Sequence, residues 1–333
     1  MIIGPAVARL TRWRSAVPFM VGLLAGAFVW NYYSRYAPWV WSDFDQIWLG
    51  ARALLAGRDP YVEVPGKGFP WPLYYPLPAL ILGIPFTPLT LMAARVAFAA
   101  VTAFAFAAAL LRHRPHALPL LLSGPFIYAI QRGQWTPLLV AGVLIPVLGG
   151  AIAAKPSIGL ATFAYRPHRW AIVGAATLAV LSLAILPSWP RSWLSTIPSG
   201  RHLIAPVMLP GGVILLLALL RWRRPEARLL AILACVPQTS AVYEFLPLSL
   251  VPKDRREALV LAVLWNIVYI FKTLVRSSAP LTLAQLPAHY SPWRWTLMLV
   301  LGYIPVLLMI LLRRDGESGV RGPRHLLGGE RIV

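Results

Sequence analysis

Acidic residues are scarce in this sequence, and so is charge of any kind. Eleven Asp and Glu stand against 31 Lys and Arg, and charged residues fill only 13% of the 333 positions, about half the share of an average soluble domain. So little solvating charge excludes an ordinary soluble enzyme, and the 58% hydrophobic share points to an all-α polytopic membrane protein. A single cysteine, Cys235, excludes an intramolecular disulfide and any cysteine-based metal site. Lying in an apolar run, Cys235 reads as a small buried residue. His113, His116, His168, His202, His289 and His325 show no metal-ligand spacing. No cofactor is therefore expected; a divalent metal is compatible with the chain but not indicated. The absence of a glycine-rich phosphate loop and of a nucleophile elbow argues against nucleotide-driven pumping and serine hydrolysis.

What the sequence does have is long apolar runs. Residues 15–34, 133–154, 170–190 and 295–312 carry no Asp, Glu, Lys or Arg, and each approaches the roughly 20 residues that a helix needs to cross hydrocarbon. The run 68–94 is broken by Pro70, Pro72, Pro76, Pro78, Pro85 and Pro88, so it cannot be one straight helix. Arginine clusters at residues 9–14, 112–114, 166–169, 221–224, 253–256 and 313–314 abut the ends of apolar runs. That placement makes them topology signals that keep loops cytoplasmic, not a nucleic-acid footprint.

Taking these clusters as inside anchors predicts about nine to eleven transmembrane or re-entrant helices. Residues 1–312 form one integral membrane domain, and 313–333 form a polar cytoplasmic tail. Residues 16–36 are read as a retained first helix and 37–75 as an external loop, while 151–165 form a broken segment hinged at Lys155-Pro156. Residues 227–251 form a hairpin broken at Pro237-Gln238.

Four of the eleven acids, Asp43, Asp45, Asp59 and Glu63, fall in the first outer loop, which makes that loop the expected seat of chemistry. Residues 43–57 read as an amphipathic helix on the membrane surface, with Ser42 or Asp43 as cap, an apolar stripe of Ile47, Trp48, Ala51, Leu54 and Leu55, and Gly57 as its end. Asp43 reads either as that cap or as a reactive carboxylate, and Asp45 as a solvated first-turn acid or a second catalytic candidate.

Several motifs recur in a fixed order. Asp43-Phe44 is followed by Ala53-Leu54-Leu55-Ala56-Gly57-Arg58-Asp59-Pro60-Tyr61, Tyr74-Tyr75-Pro76-Leu77-Pro78, Gly133-Gln134-Trp135-Thr136-Pro137-Leu138-Leu139 and Ala153-Ala154-Lys155-Pro156. Together they resemble glycosyltransferase family 87, over roughly residues 20–250. The resemblance implies a GT-C-like bundle and an inverting transferase, with a polyprenyl-phosphate sugar, usually mannose, as donor. There are departures from the pattern. Thr136 occupies the position of the family's Asn, Lys155 and Pro156 are adjacent where the family spaces them apart, and Val242 stands where the family tends to have a histidine.

Chemically, transfer from a lipid phosphate needs a carboxylate to take the acceptor hydroxyl's proton and cations or donors to hold the departing phosphate. Asp43 and Asp45 are the candidates for the first role, and Lys155, Arg132, Gln134, Arg201 and His289 for the second. Lys155 is singled out because an intramembrane charge is costly. Tyr61, Tyr75, Tyr243 and Glu244 are the expected substrate contacts. The expected acceptor is a lipid or cell-envelope glycan on the outer face of a bacterial plasma (inner) membrane, with no nucleic-acid partner. A non-catalytic carrier or flippase for lipid-linked glycans, or an assembly partner of a transferase, remains an alternative because of Val242.

Overall fold

The computed structural model describes residues 5–38, 40–199, 203–239, 241–274 and 292–314, apart from the side chains of 5–15, 272, 274 and 292. Among these residues there is no strand, and one isolated antiparallel bridge joins Ile204 to Gln238. Three helical stretches, Ala16–Tyr36, Leu91–His113 and Trp293–Leu312, are long and apolar enough to cross a membrane, and a fourth results if the bent pair Arg169–Ile185 and Trp189–Ser199 is counted as one span. The other described helices are mostly short, and the cause is proline. The run 133–154 does not form one span: helix Thr136–Leu144 stops before Pro146, and a 3-10 run, Pro146–Ala154, follows it. Lys155, the residue before Pro156, leaves the helical region at φ −141° and ψ 80°, since the following proline ring disfavours helical backbone before it. The next helix is Pro156–Tyr165.

Helix α1, Pro5–Asn31, packs along the long helix Leu91–His113. The latter also packs on Thr136–Leu144, which together with Pro156–Tyr165 leans on Pro146–Ala154. Arg169–Ile185 packs on that same 3-10 run, where a Cβ on Gly174 would come within 2.6 Å of the Gly150 Cα. Only Ala171 and Ser182 of this 17-residue helix are buried. Its exposed face carries Trp170, Ile172, Val173, Val180 and Ile185, far more apolar surface than a water-facing helix tolerates.

Helix α2, Asp43–Leu55, is the amphipathic helix expected from the sequence, and Ser42 is its N-cap. The Ser42 hydroxyl accepts from the Phe44 N–H at 3.2 Å, and the Ser42 N–H donates to Asp45 Oδ2 at 2.7 Å, a reciprocal capping box. Gly57, at φ 70°, turns the chain after the helix. Leu55 is exposed, so the apolar stripe ends one position earlier than its sequence implies. Asp59 caps helix Pro60–Gly66, and Glu63 pairs with Arg58 and Lys67 at the surface.

Burial departs from the sequence reading at several charged or polar positions. Asp45 is not solvated: it is fully buried and receives the Arg95 guanidinium on both oxygens, at 2.7 and 2.5 Å. Arg95 also lies 4.2 Å over the Tyr33 ring. Arg114 and Arg313, expected as loop charges, are buried braces on the carbonyls of Leu250 and Val251 respectively. Cys235, expected buried, is exposed. Removing one partner of a buried, bidentate pair leaves the other charge uncompensated. Asp45→Asn is thus expected to lower stability by about 3–5 kcal/mol, read as a drop in the melting temperature of the purified protein in detergent, with Asp45→Leu combined with Arg95→Met recovering part of the loss.

Candidate functional site

The turn Gly133-Gln134-Trp135 is the centre of the site, and its geometry follows from its glycine. Helix Gly124–Arg132 ends at Gly133 in the left-handed region, φ 64°, so the chain reverses and the next helix starts at Thr136. A Cβ on Gly133 would stand 2.6 Å from the Phe44 Cβ and 2.7 Å from the Ser42 Oγ. Only glycine lets the turn and the start of α2 approach this closely. The Ser42 hydroxyl then donates to the Arg132 carbonyl at 3.0 Å, and Phe44 stacks on Phe98 at 4.3 Å, itself edge-on to Trp135 at 5.1 Å. The start of α2 is thereby set beside the turn.

With the backbone so placed, side chains from five distant segments meet. Gln134 donates through its amide nitrogen to Asp43 Oδ2. Its amide oxygen accepts from Lys155 Nζ at 3.2 Å and from the Tyr75 hydroxyl at 3.4 Å. Arg132 Nη2 lies 3.7 Å from Asp43 Oδ1. Lys155 Nζ also reaches both Glu244 oxygens at 3.4 Å and lies 4.9 Å from the centre of the Tyr243 ring. Thr239 Oγ1 lies 3.2 Å from Glu244 Oε1, to which it donates, and 3.2 Å from the Tyr243 hydroxyl. Asp43, Arg132, Gln134, Lys155, Tyr75, Tyr243 and Glu244 therefore form one network.

Accessibility within the network is graded. The Arg132 and Asp43 side chains keep 21% and 22% of their surface and Lys155 17%, whereas Glu244 keeps 3%. The carboxylate of Asp43 and the two cations can thus meet a ligand, while Glu244 sits behind Lys155. Tyr75 is buried, and burial, with Asp43 and Glu244 adding, pushes its phenol well above the ordinary value. It acts only as a neutral donor at physiological pH.

Several expected site residues fall elsewhere. Asp45 is fully buried, with both oxygens engaged by the capping box and Arg95, so it is not accessible to a substrate in this arrangement. Tyr61 does not reach the network; its hydroxyl donates to the Tyr75 carbonyl at 3.2 Å and so supports the Tyr75 backbone from behind. Burial, with Asp59 adding, pushes the Tyr61 phenol up as well. Arg201, His289 and the neighbouring His202 lie outside the described residues. Val242 is fully buried at the start of the 3-10 run Val242–Leu250. Thr136 is buried with no partner for its hydroxyl, so it contributes nothing polar to the network. No cluster of three or more His, Cys, Asp or Glu suited to a metal occurs among the described residues.

Sequence reasoning missed Arg95, Thr239 and Tyr128. Arg95, the charged residue in the interior of an apolar helix, is detectable on the rule that buried charges are paired. Tyr128 stacks on Tyr243 at 5.7 Å, a contact with no local pattern. The segment 37–75 is also tied down: Tyr74 receives Trp193 Nε1–H on its carbonyl at 2.8 Å and donates its own N–H to Gln46 at 3.2 Å.

The tight approach at Gly133 generates a comparison. Gly57 has a similar positive φ of 70° but nothing within 4 Å of a built Cβ. Gly57→Ala should cost only the left-handed backbone strain, of the order of 1 kcal/mol. Gly133→Ala should cost distinctly more, because strain and displacement of Phe44 and Ser42 add, and thermal unfolding of the two variants side by side measures the difference. No protein-family model matches the chain, and no curated protein or solved structure does.

Proposed function

We propose that the chain is a polytopic membrane protein and a GT-C-type glycosyltransferase, which moves a sugar, mannose by the resemblance described above, from a polyprenyl phosphate to a lipid-linked or envelope acceptor at the outer membrane face. The convergence of Asp43, Arg132, Gln134 and Lys155 on one accessible spot carries this reading. The membrane part is supported by the apolar helices and by the bare apolar face of Arg169–Ile185.

In the proposed reaction Asp43 accepts the proton of the acceptor hydroxyl, whose oxygen forms a bond to the anomeric carbon as the bond from that carbon to the phosphate oxygen breaks. The phosphate leaves with the electron pair from the opposite face, which inverts the configuration. Lys155 and Arg132 are placed to take up its growing charge. Gln134 holds Asp43 with its amide nitrogen and Lys155 with its amide oxygen, so base and phosphate-binding cation keep a fixed separation. The buried Val242, with no imidazole in its place, favours a second reading, a carrier that binds the lipid phosphate without turnover.

Asp43→Asn retains the shape and the contact with Gln134 but loses the proton acceptor. Sugar transfer should fall by at least about 10²-fold with folding intact, measured with radiolabelled polyprenyl-phosphate mannose and a lipid extract. Near-normal turnover would contradict the assignment. In a cysteine-free background, needed because Cys235 is exposed, Gly66→Cys should react with an impermeant maleimide in intact cells. Labelling only after permeabilisation would place the loop, and Asp43 with it, on the wrong side.

A further inference from the structure

We infer that a second site, at the far end of helix Pro156–Tyr165 from the network, binds the headgroup of an anionic phospholipid through Arg166 and Arg223, with Arg112 and Arg169 beside them; this rests on the membrane part of the proposed function and not on sugar transfer. Three turns far apart in sequence converge there. Helix Pro156–Tyr165 starts after Lys155 and ends at Arg166, so at the helical rise per residue the two ends are about 15 Å apart. The Arg228 guanidinium ties its last turn to another: Nε donates to the Ala164 carbonyl at 2.9 Å, and Nη1 to the carbonyls of Arg223 and Trp222 at 3.0 and 3.3 Å. Arg112 and Arg166 both lie within electrostatic reach of His113, the last residue of helix Leu91–His113. Arg169 opens helix Arg169–Ile185 three residues after Arg166.

Charge at this end is one-sided. Arg112, Arg166, Arg169 and Arg223 are exposed, and none of them is paired with an acid among the described residues. Glu226, the acid that acts on neighbouring Tyr165, is buried and lies 3.7 Å from Arg313. His168 supplies no further ligand: its Nδ1 accepts the Ala171 N–H at 3.1 Å, and its Nε2 lies 3.2 Å from the Gly142 carbonyl. Four guanidinium groups without a counter-ion repel one another, and an anion among them relieves that repulsion.

The surroundings of the cations select a lipid over a soluble anion. Trp170 and Trp222 are exposed, and Arg169 and Arg223 lie 5.5 and 5.9 Å from the centres of their rings, a pairing of apolar ring and charge that suits headgroup depth. The bare apolar face of Arg169–Ile185 begins at Trp170. The 3-10 run Gly212–Arg221, which leads into Trp222, exposes Val213, Leu217 and Leu220. Acyl chains thus have apolar surface to lie against, while the phosphate meets guanidinium forks that match its oxygens. The Arg228 tie already sets two of the turns side by side, which lowers the ordering cost of binding.

The test is native mass spectrometry of the full chain in neutral detergent, titrated with phosphatidylglycerol, which bears one negative charge, or with zwitterionic phosphatidylcholine. The wild-type protein should bind phosphatidylglycerol at least about tenfold more tightly. Arg166→Gln combined with Arg223→Gln should lower that ratio by at least about fivefold, whereas Arg255→Gln with Arg256→Gln, which removes the same charge beside Asp254 and Glu257, should leave it unchanged. Equal wild-type binding of the two lipids overturns the inference and leaves the membrane reading standing. An equal drop in both double variants would reduce the effect to net charge and overturn it too, as would displacement of phosphatidylglycerol by millimolar inorganic phosphate, which would assign the arginines to a soluble anion. If the Arg166 and Arg223 variant does not fold, the wild-type ratio and the phosphate competition decide. Failure of the wild-type protein to bind either lipid overturns the inference together with the membrane reading.

Discussion

The buried pair of Asp45 and Arg95 fixes where α2 begins, and the site depends on that position. Asp45 is tied forward to the long helix Leu91–His113 through Arg95 and backward to its own N-cap through the Ser42 N–H. Ser42 in turn holds the Arg132 carbonyl, and the missing Cβ of Gly133 allows the two backbones to meet. One residue along from Ser42, Asp43 is set beside Gln134 and Arg132. A buried, paired carboxylate thus positions the one that is proposed to do the chemistry.

The second constraint is electrostatic. Taking charges out of water costs free energy unless they are paired and hydrogen-bonded, and every charged member of the network has a partner of opposite sign. Pairing makes the cluster tolerable in apolar surroundings and also limits what it can bind. A site with an unopposed lysine and arginine would hold any phosphate tightly, including the product of its own reaction. A neutral cluster binds an anion less strongly in the ground state, and its accessible cations keep their capacity for the charge that develops in the transition state.

Much of this arrangement was legible in the sequence, and the limits are physical. Helix α2 with its start at Ser42, the Gly133 turn and the break at Lys155-Pro156 follow from capping, backbone and proline rules that act over a few residues. The candidates Asp43, Arg132, Gln134, Lys155, Tyr75, Tyr243 and Glu244 do meet. Asp45 was misread as solvated because its burial depends on Arg95, 50 positions away, a contact that no local pattern encodes. The bridging role of Gln134 and the retreat of Glu244 behind Lys155 are likewise matters of tertiary geometry. Proline divides apolar runs that composition alone would pass as whole, so among the described residues three helical stretches, or four with the bent pair, are long and apolar enough to cross a membrane.

The central claim is that the network catalyses transfer and does not merely hold a lipid phosphate. Purified wild-type protein in proteoliposomes, supplied with radiolabelled polyprenyl-phosphate mannose and an extract of its host's lipids, tests this most directly. The account predicts a labelled glycolipid product whose amount grows with protein and with time, alongside release of unlabelled polyprenyl phosphate. Saturable donor binding with no labelled product, across acceptor extracts, would contradict it and leave the carrier reading in its place.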